Sequence, residues 1–455
     1  MLPITEICHR AQTGPRMTQE SFDLDVVYRT ARELCEKYQI QYQRDTPVPS
    51  DDDLADRVYQ AAVDFVAEVG VYCTDTQSVI RFTRDEALEA VAQSRGRCIM
   101  GDDKDRRVWT PRKPDSDTEP WYHVGTGIVN TDERIAFQLV SSYASIDRAD
   151  SLSVPALWSI GGHRVVSGTP TEILGAIRSI KIARDAMRHA GRPGLPIGNC
   201  IAAAGTSMAT IAASAPQFGL RPSDGWLVGA LAEMKVNMGV LNKTAYLSSW
   251  GANIGGESGP LVGGYAGGPE GTAVLNVAYR IVGRLVLGCD YHLTFPIHVT
   301  KGCSTTRDVI WASAVSAQAI SRNTTELVWS LGYIAGGPMT RQFFYESAAY
   351  LAAVISSGVS AQTCHPARAV LNDHITPMEM IGSVQINQAC VGMSRSKANG
   401  LVNELLAKYE DDLDGDCAGM RYQECYDVES GQPCQQYADL YGEVKQELAA
   451  MGFGL

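Results

Sequence analysis

Glu257 is the only acidic residue in a glycine-rich segment, 251–268, which holds eight glycines in 18 residues. Glycines let the backbone approach a ligand closely, and a long glycine-rich loop after a strand is typical of a functional loop. A carboxylate there could pair with a cationic substrate or transfer protons, although a solvated carboxylate gives the same sequence pattern. The segment has neither the Gly-Lys-Ser/Thr ending of a P-loop nor a G-x-G-x-x-G start, so it indicates no nucleotide site.

Two further side chains are candidates for chemistry. His298 lies near the C-terminal end of the apolar run 293–299, where it is either a hydrogen-bonded core residue or a catalytic group at a strand end. Glu346 lies early in a predicted helix, where it either stabilises the helix N-terminus or lines a site. The segment 303–308 (CSTTRD) has the composition of a helix N-terminus suited to anions.

Composition excludes several classes of protein. The chain has 455 residues and a formal net charge of −12, which argues against a nucleic-acid partner because phosphate binding requires clustered Lys and Arg. Its 12 cysteines are scattered without a C-x-x-C pair, so we expect reduced thiols in the cytoplasm and no metal site. No apolar run of about 18 residues is present, and no membrane helix is expected. Motifs of serine hydrolases, zincins and EF-hands are missing as well.

The elements that must position these side chains follow an alternating pattern. Short apolar runs from about residue 148 onward predict strands at 151–157, 195–200, 226–231, 245–250, 293–299 and 326–333, and more weakly at 354–360. Amphipathic patterns predict helices at 170–189, 270–287, 305–322 and 340–356, the first with Thr169 and Glu172 as a capping box and Pro170 at its first position. Strand–helix units at this spacing favour a (β/α)8 TIM barrel, in which chemistry lies at the C-terminal ends of the strands.

The predicted barrel occupies residues 148–395. Residues 1–147 are expected to form an N-terminal extension of helices, including one at 52–69 and one capped by Thr83 and Glu86, with a long loop at 101–122. Residues 396–455 are expected to form a C-terminal helical segment.

Four strings of this sequence, in order and with closely similar spacing, resemble the monomethylamine methyltransferases: 70–76 (GVYCTDT), 190–194 (AGRPG), 262–268 (VGGYAGG) and 423–428 (QECYDV). These are the archaeal and bacterial enzymes that start methane or acetyl-CoA formation from methylamines. The resemblance implies a (β/α)8 barrel in a homo-oligomer, a hexamer in the family's type member. It also implies that the mouth of the barrel receives a separate corrinoid protein, whose Co(I) takes the substrate's methyl group, and that the chain itself holds no tightly bound cofactor.

The sequence departs from this family at its signature residue. The family's pyrrolysine, whose imine ring is thought to bind and orient the amine, matches Gly198 here. The resemblance carries the family's pocket glutamate onto Glu257, whereas Leu227 and Leu331 stand where the family has a second glutamate and a glutamine. Tyr333 and Glu346 match family residues near that pocket.

We therefore expect a pyrrolysine-independent methyltransferase acting on a quaternary or bulkier methylated amine. An amine leaves poorly unless its nitrogen is charged, a larger substrate would fit space vacated at Gly198, and the two leucines would suit its apolar part. We predict Glu257 and Gly198 as the catalytic positions and the following residues as substrate-binding: Leu227, Leu331, Tyr333, Trp250, Tyr265, His298 and Glu346. Cation–π contacts from Trp226, Trp250 or Tyr265 are one option and core packing is the other. The alternative function is a barrel that binds a small cation without methyl transfer.

Overall fold

The computed structural model describes residues 2–455. Its centre is an eight-stranded parallel sheet in which consecutive strands surround a closed interior. The strands are β1 (Tyr122–Val124), β2 (Ser151–Ser153), β3 (Ile197–Asn199), β4 (Gly225–Gly229), β5 (Asn253–Ser258), β6 (Tyr291–Thr294), β7 (Val328–Ser330) and β8 (Ser360–Gln362). Hydrogen-bonded ladders run in the order β3-β2-β1-β8-β7-β6-β5-β4, and β3 packs beside β4 to complete the ring.

A helix follows every strand, as the parallel connection requires. The helices are α1 (Glu133–Ser145), α2 (Pro170–His189), α3 (Ser207–Ala213), α4 (Met238–Trp250), α5 (Pro269–Leu287), α6 (Arg307–Asn323), α7 (Arg341–Ser356) and α8 (Pro377–Ala389). Helices α5, α6 and α7 are buried on nearly every side because further helices cover them from outside. The predicted (β/α)8 barrel and the helices at 170–189, 270–287, 305–322 and 340–356 are confirmed.

The remaining helices surround the barrel. Asp52–Val69 packs on α5 and α6, and Arg395–Tyr409 packs on α7. The other helices before the barrel are Ile4–Thr13, Gln19–Ser21, the π-helix Phe22–Tyr28, Arg29–Lys37 and Arg84–Ala92, and those after it are Tyr422–Cys425 and Gln435–Met451. The Thr83–Glu86 capping box is present. Among residues 2–455, no helix combines the length and apolarity needed to cross a bilayer.

Short strands and turns complete the structure. Val71–Cys73 pairs with both Ser78–Ile80 and Lys235–Val236 to form a three-stranded sheet. Four further pairs of strands are Cys98–Met100 with Arg107–Trp109, Val129–Asn130 with Ala156–Leu157, Ser159–Ile160 with His163–Arg164, and Leu261–Val262 with Ile297–His298. Single 3-10 turns lie at Asp103–Asp105, Pro216–Phe218, Ala367–Ala369 and Glu410–Asp412. The hairpin at 98–109 places Trp109 against Trp121, which precedes β1, and thereby covers the N-terminal end of the barrel.

Several local predictions were wrong. The run 245–250 is the end of α4, not a strand, and β5 lies inside the glycine-rich segment that we expected to be a loop. The barrel begins with β1 at Tyr122, before the predicted boundary at 148 and at the end of the predicted loop 101–122. The run 354–360 is the end of α7 and the turn after it, and β8 begins at its last residue, Ser360. Thr169 makes no side-chain cap, because its hydroxyl donates to the Val166 carbonyl at 2.8 Å. Glu172 accepts hydrogen bonds from Gly168 N and from Thr206 N, so the predicted capping box is absent.

Candidate active site

Aromatic side chains fill the barrel interior on the side of the N-terminal ends of the strands. The His123 ring stacks on Trp329 with 4.3 Å between ring centroids, and Trp329 stacks on Trp109 at 5.0 Å. Tyr291 contacts Trp329 at 4.9 Å, and its hydroxyl donates a hydrogen bond to the Gly198 carbonyl at 3.1 Å. These four rings form a packed layer, here called the floor, which closes the barrel below its C-terminal mouth.

Gly198 lies in this floor, in the middle of β3. A β-carbon on Gly198 would lie 2.9 Å from His123 Nδ1 and Cε1 and 3.1 Å from Ser151 Oγ. The predicted vacated space is consequently absent at this point, because the ring of His123 fills it. Gly198 contributes no side chain to the mouth above.

A hydrogen-bond chain fixes His123. Trp121 Nε1 donates to Ser151 Oγ at 2.7 Å, and Ser151 Oγ lies 2.7 Å from His123 Nδ1. His123 Nε2 is hydrogen-bonded to Ser153 Oγ at 2.8 Å, so both ring nitrogens are engaged. Burial lowers the pKa of His123 to about 3, with a smaller contribution from His365, so the ring is neutral. His123 is therefore a fixed, uncharged part of the floor.

Above the floor, Glu257 projects from β5 at the mouth. In the ladder, Glu257 is paired with Gly229 on β4 and with Leu293 on β6. A β-carbon on Gly229 would lie 3.6 Å from Glu257 Oε2, so a larger residue there would crowd the carboxylate. Leu227 and Leu331, both predicted to bind substrate, belong with Leu293 to one buried apolar cluster.

The remaining wall of the mouth is aromatic and aliphatic. Ile201, Phe295 and Tyr333 pack on the leucine cluster and are partly exposed. The rings of Phe295 and Tyr333 lie 5.2 Å apart. Burial, followed by the charge of Glu257, raises the pKa of Tyr333, so its hydroxyl stays protonated near Glu257. On this side of the mouth, Glu257 thus lies beside aliphatic and aromatic side chains, with the Tyr333 hydroxyl as the polar group near it.

Burial raises the pKa of Glu257 to about 7, and the positive charge of Lys243 only partly offsets it. The Lys243 ammonium donates to the Gly205 carbonyl, and Lys243 and Glu257 form no ion pair. Within residues 2–455, the Glu257 carboxylate makes no hydrogen bond. It is largely buried, unpartnered and half ionised near neutral pH, which favours a cationic ligand.

The sequence matches the family described as Monomethylamine methyltransferase MtmB over residues 2–453. The chain belongs to this family. Monomethylamine methyltransferase MtmB2 of Methanosarcina barkeri is 27% identical over 97% of this chain and 96% of its own length. The MtmB proteins of Methanosarcina mazei and Methanosarcina acetivorans (MtmB2) are each 28% identical over the same shares. The prediction of a methyltransferase of this family is confirmed.

Solved structures agree with this relationship. The crystal structure of the Methanosarcina barkeri MtmB matches with a TM-score of 0.94 and 26% identity, covering 99% of this chain and 98% of that chain. A hydroxylamine complex of MtmB matches equally well. The architecture of the family is therefore retained in full, including the helices on both sides of the barrel segment.

Other predicted binding residues lie away from the mouth. Trp250 is at the end of α4, where it contacts Trp226 edge-on at 5.3 Å and Tyr246 at 6.2 Å, outside the barrel wall. Tyr265 is 45% exposed on the loop after β5, and its ring lies 5.5 Å from the Lys235 ammonium. Trp250 thus takes the packing role that was the alternative to cation–π binding, whereas Tyr265 is a surface residue beside Lys235.

His298 and Glu346 also have partners of their own. His298 lies on the short strand beyond β6, with Nε2 3.7 Å from Asp308. Glu346 is fully buried on α7 and accepts hydrogen bonds from Ala335 N at 3.0 Å, from Gly336 N at 2.9 Å, and from Thr305 and Gln342. Burial raises its pKa, but its oxygens are occupied, so Glu346 holds the loop after β7.

Proposed function

We propose that this protein transfers a methyl group from an N-methylated ammonium compound to a corrinoid protein, with Glu257 holding the ammonium. The supporting observation is the Glu257 carboxylate, which is largely buried in the mouth of the barrel and has no hydrogen-bond partner within residues 2–455. Membership of the family supports the reaction class, since its named relatives are monomethylamine methyltransferases. Catalytic sites of this fold lie at the same end of the strands.

The surroundings of Glu257 favour a highly methylated ammonium over monomethylammonium. A monomethylammonium ion has three N–H donors, of which Glu257 can accept one or two, and leaving the rest unpaired beside Leu227, Leu293 and Leu331 would be costly. A quaternary ammonium has none, and its charge is spread over methyl groups that can contact leucine and aromatic side chains such as Phe295. Apolar walls around one carboxylate therefore suit the quaternary ion better.

The reaction is a displacement at the methyl carbon. The reduced corrinoid supplies an electron pair to that carbon, the C–N bond breaks, and the C–N electron pair stays on nitrogen, so a quaternary ammonium leaves as a neutral tertiary amine. No proton has to be delivered to the leaving group. Glu257 binds and orients the cation, and the apolar walls keep water from the reacting carbon. Gly198 adds no side chain, so no covalent or imine contact holds the amine.

The test is a methyl-transfer assay with reduced cobalamin as the acceptor. Tetramethylammonium and monomethylammonium are supplied separately at equal concentration, and loss of the cob(I)alamin absorption is followed. We expect transfer from tetramethylammonium at least ten times faster than from monomethylammonium. Faster transfer from monomethylammonium would overturn the proposed substrate class, and binding of tetramethylammonium without any transfer would support the non-catalytic alternative. The homo-oligomer and the cytoplasmic location stay predictions.

A further inference from the structure

A second set of polar groups lies three strands away from Glu257 in the ring. Glu257 is on β5, whereas Gln362 is on β8, and β6 and β7 lie between these strands in the ring. Gln362 is fully buried, and His365, three residues later, is 6% exposed. Neither residue could be identified from the sequence, since the predicted strand at 354–360 ends before both of them.

The orientation of the Gln362 amide is determined by its neighbour. Its Nε2 lies 2.8 Å from the Gly125 carbonyl, which can only accept, so Nε2 is the donor. Gln362 Oε1 points elsewhere and is a buried acceptor with no partner within residues 2–455. Buried side-chain acceptors without a partner are uncommon, which makes Oε1 a candidate contact for a ligand.

His365 supplies the complementary donor. Gln362 Nε2 also lies 3.3 Å from His365 Nε2 and 3.4 Å from Ser153 Oγ, and because an amide nitrogen only donates, the ring Nε2 accepts in the bond to His365. Burial lowers the pKa of His365 to about 3, so the ring is neutral and its one proton is on Nδ1. Nδ1 is also buried and lacks a partner in the described part of the chain. The two side chains thus carry one unused donor and one unused acceptor.

Tyr333 connects this pair with Glu257. The rings of Tyr333 and His365 lie 5.1 Å apart, and residues 333 and 365 form a parallel bridge. Burial raises the pKa of Tyr333, and the charge of Glu257 adds a smaller contribution in the same direction. The ammonium site and the Gln362–His365 pair therefore share one mouth, lined between them by Tyr333 and Phe295.

We propose that Gln362 and His365 bind a hydroxyl group of the substrate, which makes the substrate an N-methylated amino alcohol. This inference rests on the proposed function and specifies its substrate. A hydroxyl is the smallest group that accepts from His365 Nδ1–H and donates to Gln362 Oε1 at once. A carboxylate would satisfy only the donor, would leave Gln362 Oε1 facing another acceptor, and would find no cationic side chain on this pair to offset its charge.

Calorimetry with the full chain tests this assignment without any acceptor protein. The ligands are (2-hydroxyethyl)trimethylammonium, its isostere n-propyltrimethylammonium, and tetramethylammonium. We expect the hydroxyl compound to bind at least tenfold more tightly than the propyl compound, because a site built for a hydroxyl leaves buried groups unpaired when the hydroxyl is missing. In His365→Phe and Gln362→Met this preference should fall to about twofold or less, while tetramethylammonium affinity is retained.

The matched control is Gln436→Met on the exposed side of the C-terminal helix, which should keep the full preference. Equal affinity of the wild type for the hydroxyethyl and propyl compounds would overturn the hydroxyl assignment while leaving the proposed function intact. Failure of all three ammonium ligands to bind would instead overturn the proposed function. If His365→Phe or Gln362→Met lost both tetramethylammonium binding and the circular dichroism spectrum of the folded protein, that variant would be misfolded. The hydroxyl preference of the remaining variant would then test the assignment.

Discussion

The imidazole of His123 fills the space beside Gly198, where a β-carbon would lie 2.9 Å from His123 Nδ1. His123 cannot easily move, since Trp329 stacks on its face and Ser151 and Ser153 hold both ring nitrogens. Gly198, which the family resemblance matches to pyrrolysine, is therefore part of the packed floor. In the proposed function, recognition of the amine falls to the layer above, around Glu257.

Gly198→Ala should lower stability by about 1–3 kcal/mol, because an added methyl group in a packed interior forces neighbours to shift. Denaturant unfolding measures the change. Gly400→Ala is the matched control: Gly400 lies in a helix with no atom within 4 Å of an added β-carbon, so its replacement should be neutral or stabilising by up to about 1 kcal/mol. An unchanged midpoint for Gly198→Ala would show that the floor is loosely packed.

Cation binding should depend on pH through Glu257. With a pKa of about 7 in the free protein, Glu257 must lose its proton to pair with an ammonium ion. Affinity for tetramethylammonium should therefore rise about tenfold per pH unit below pH 7 and level off above it. Titration calorimetry between pH 5.5 and about 8.5 measures this. In Glu257→Gln the affinity should be weak and independent of pH, and a pH-dependent affinity in that variant would assign the titration to another group.

Glu379 should make stability fall with rising pH. It is fully buried on α8, and burial raises its pKa to about 8, from 4.5. The folded state thus binds more protons than the unfolded state between these values, and the stabilisation present below pH 4.5 is lost as the pH rises toward 8. Relative to Glu379→Gln, the wild type should lose about 1.4 kcal/mol per pH unit in this window. A difference in unfolding free energy between wild type and Glu379→Gln that stays constant with pH would contradict the raised pKa. The control is Glu404→Gln, at an exposed position.

Long amphipathic elements could be predicted from the sequence, and short ones could not. Helix α2 was predicted at its observed bounds, because twenty residues carry a clear period and Pro170 marks its start. Strands such as β1 and β8 have three residues each, too few to show a pattern, and β1 lies in a polar stretch. The run 245–250 is apolar on average, which fits a buried strand and a helix end equally well.

The candidate site shows the same limit. Glu257 could be found because it is the single acid among glycines, and Leu227, Leu331 and Tyr333 follow from the family resemblance. Gln362, His365 and His123 could not be found, because their importance depends on which strands become neighbours when the barrel closes. Trp250 is expected from the sequence to contact a substrate cation, but its segment is the end of α4 and its ring packs on Tyr246 of the same helix.

Methyl transfer from tetramethylammonium to reduced cobalamin by wild type, Glu257→Gln and Glu404→Gln tests the central role of Glu257 most directly. We predict one trimethylamine per methylcobalamin from the wild type and from Glu404→Gln. Transfer by Glu257→Gln should be slower by about 100-fold. Removing one partner of a buried charge pair costs about 3 kcal/mol, and a barrier raised by that amount gives this loss of rate. Transfer by Glu257→Gln at the wild-type rate would contradict the account.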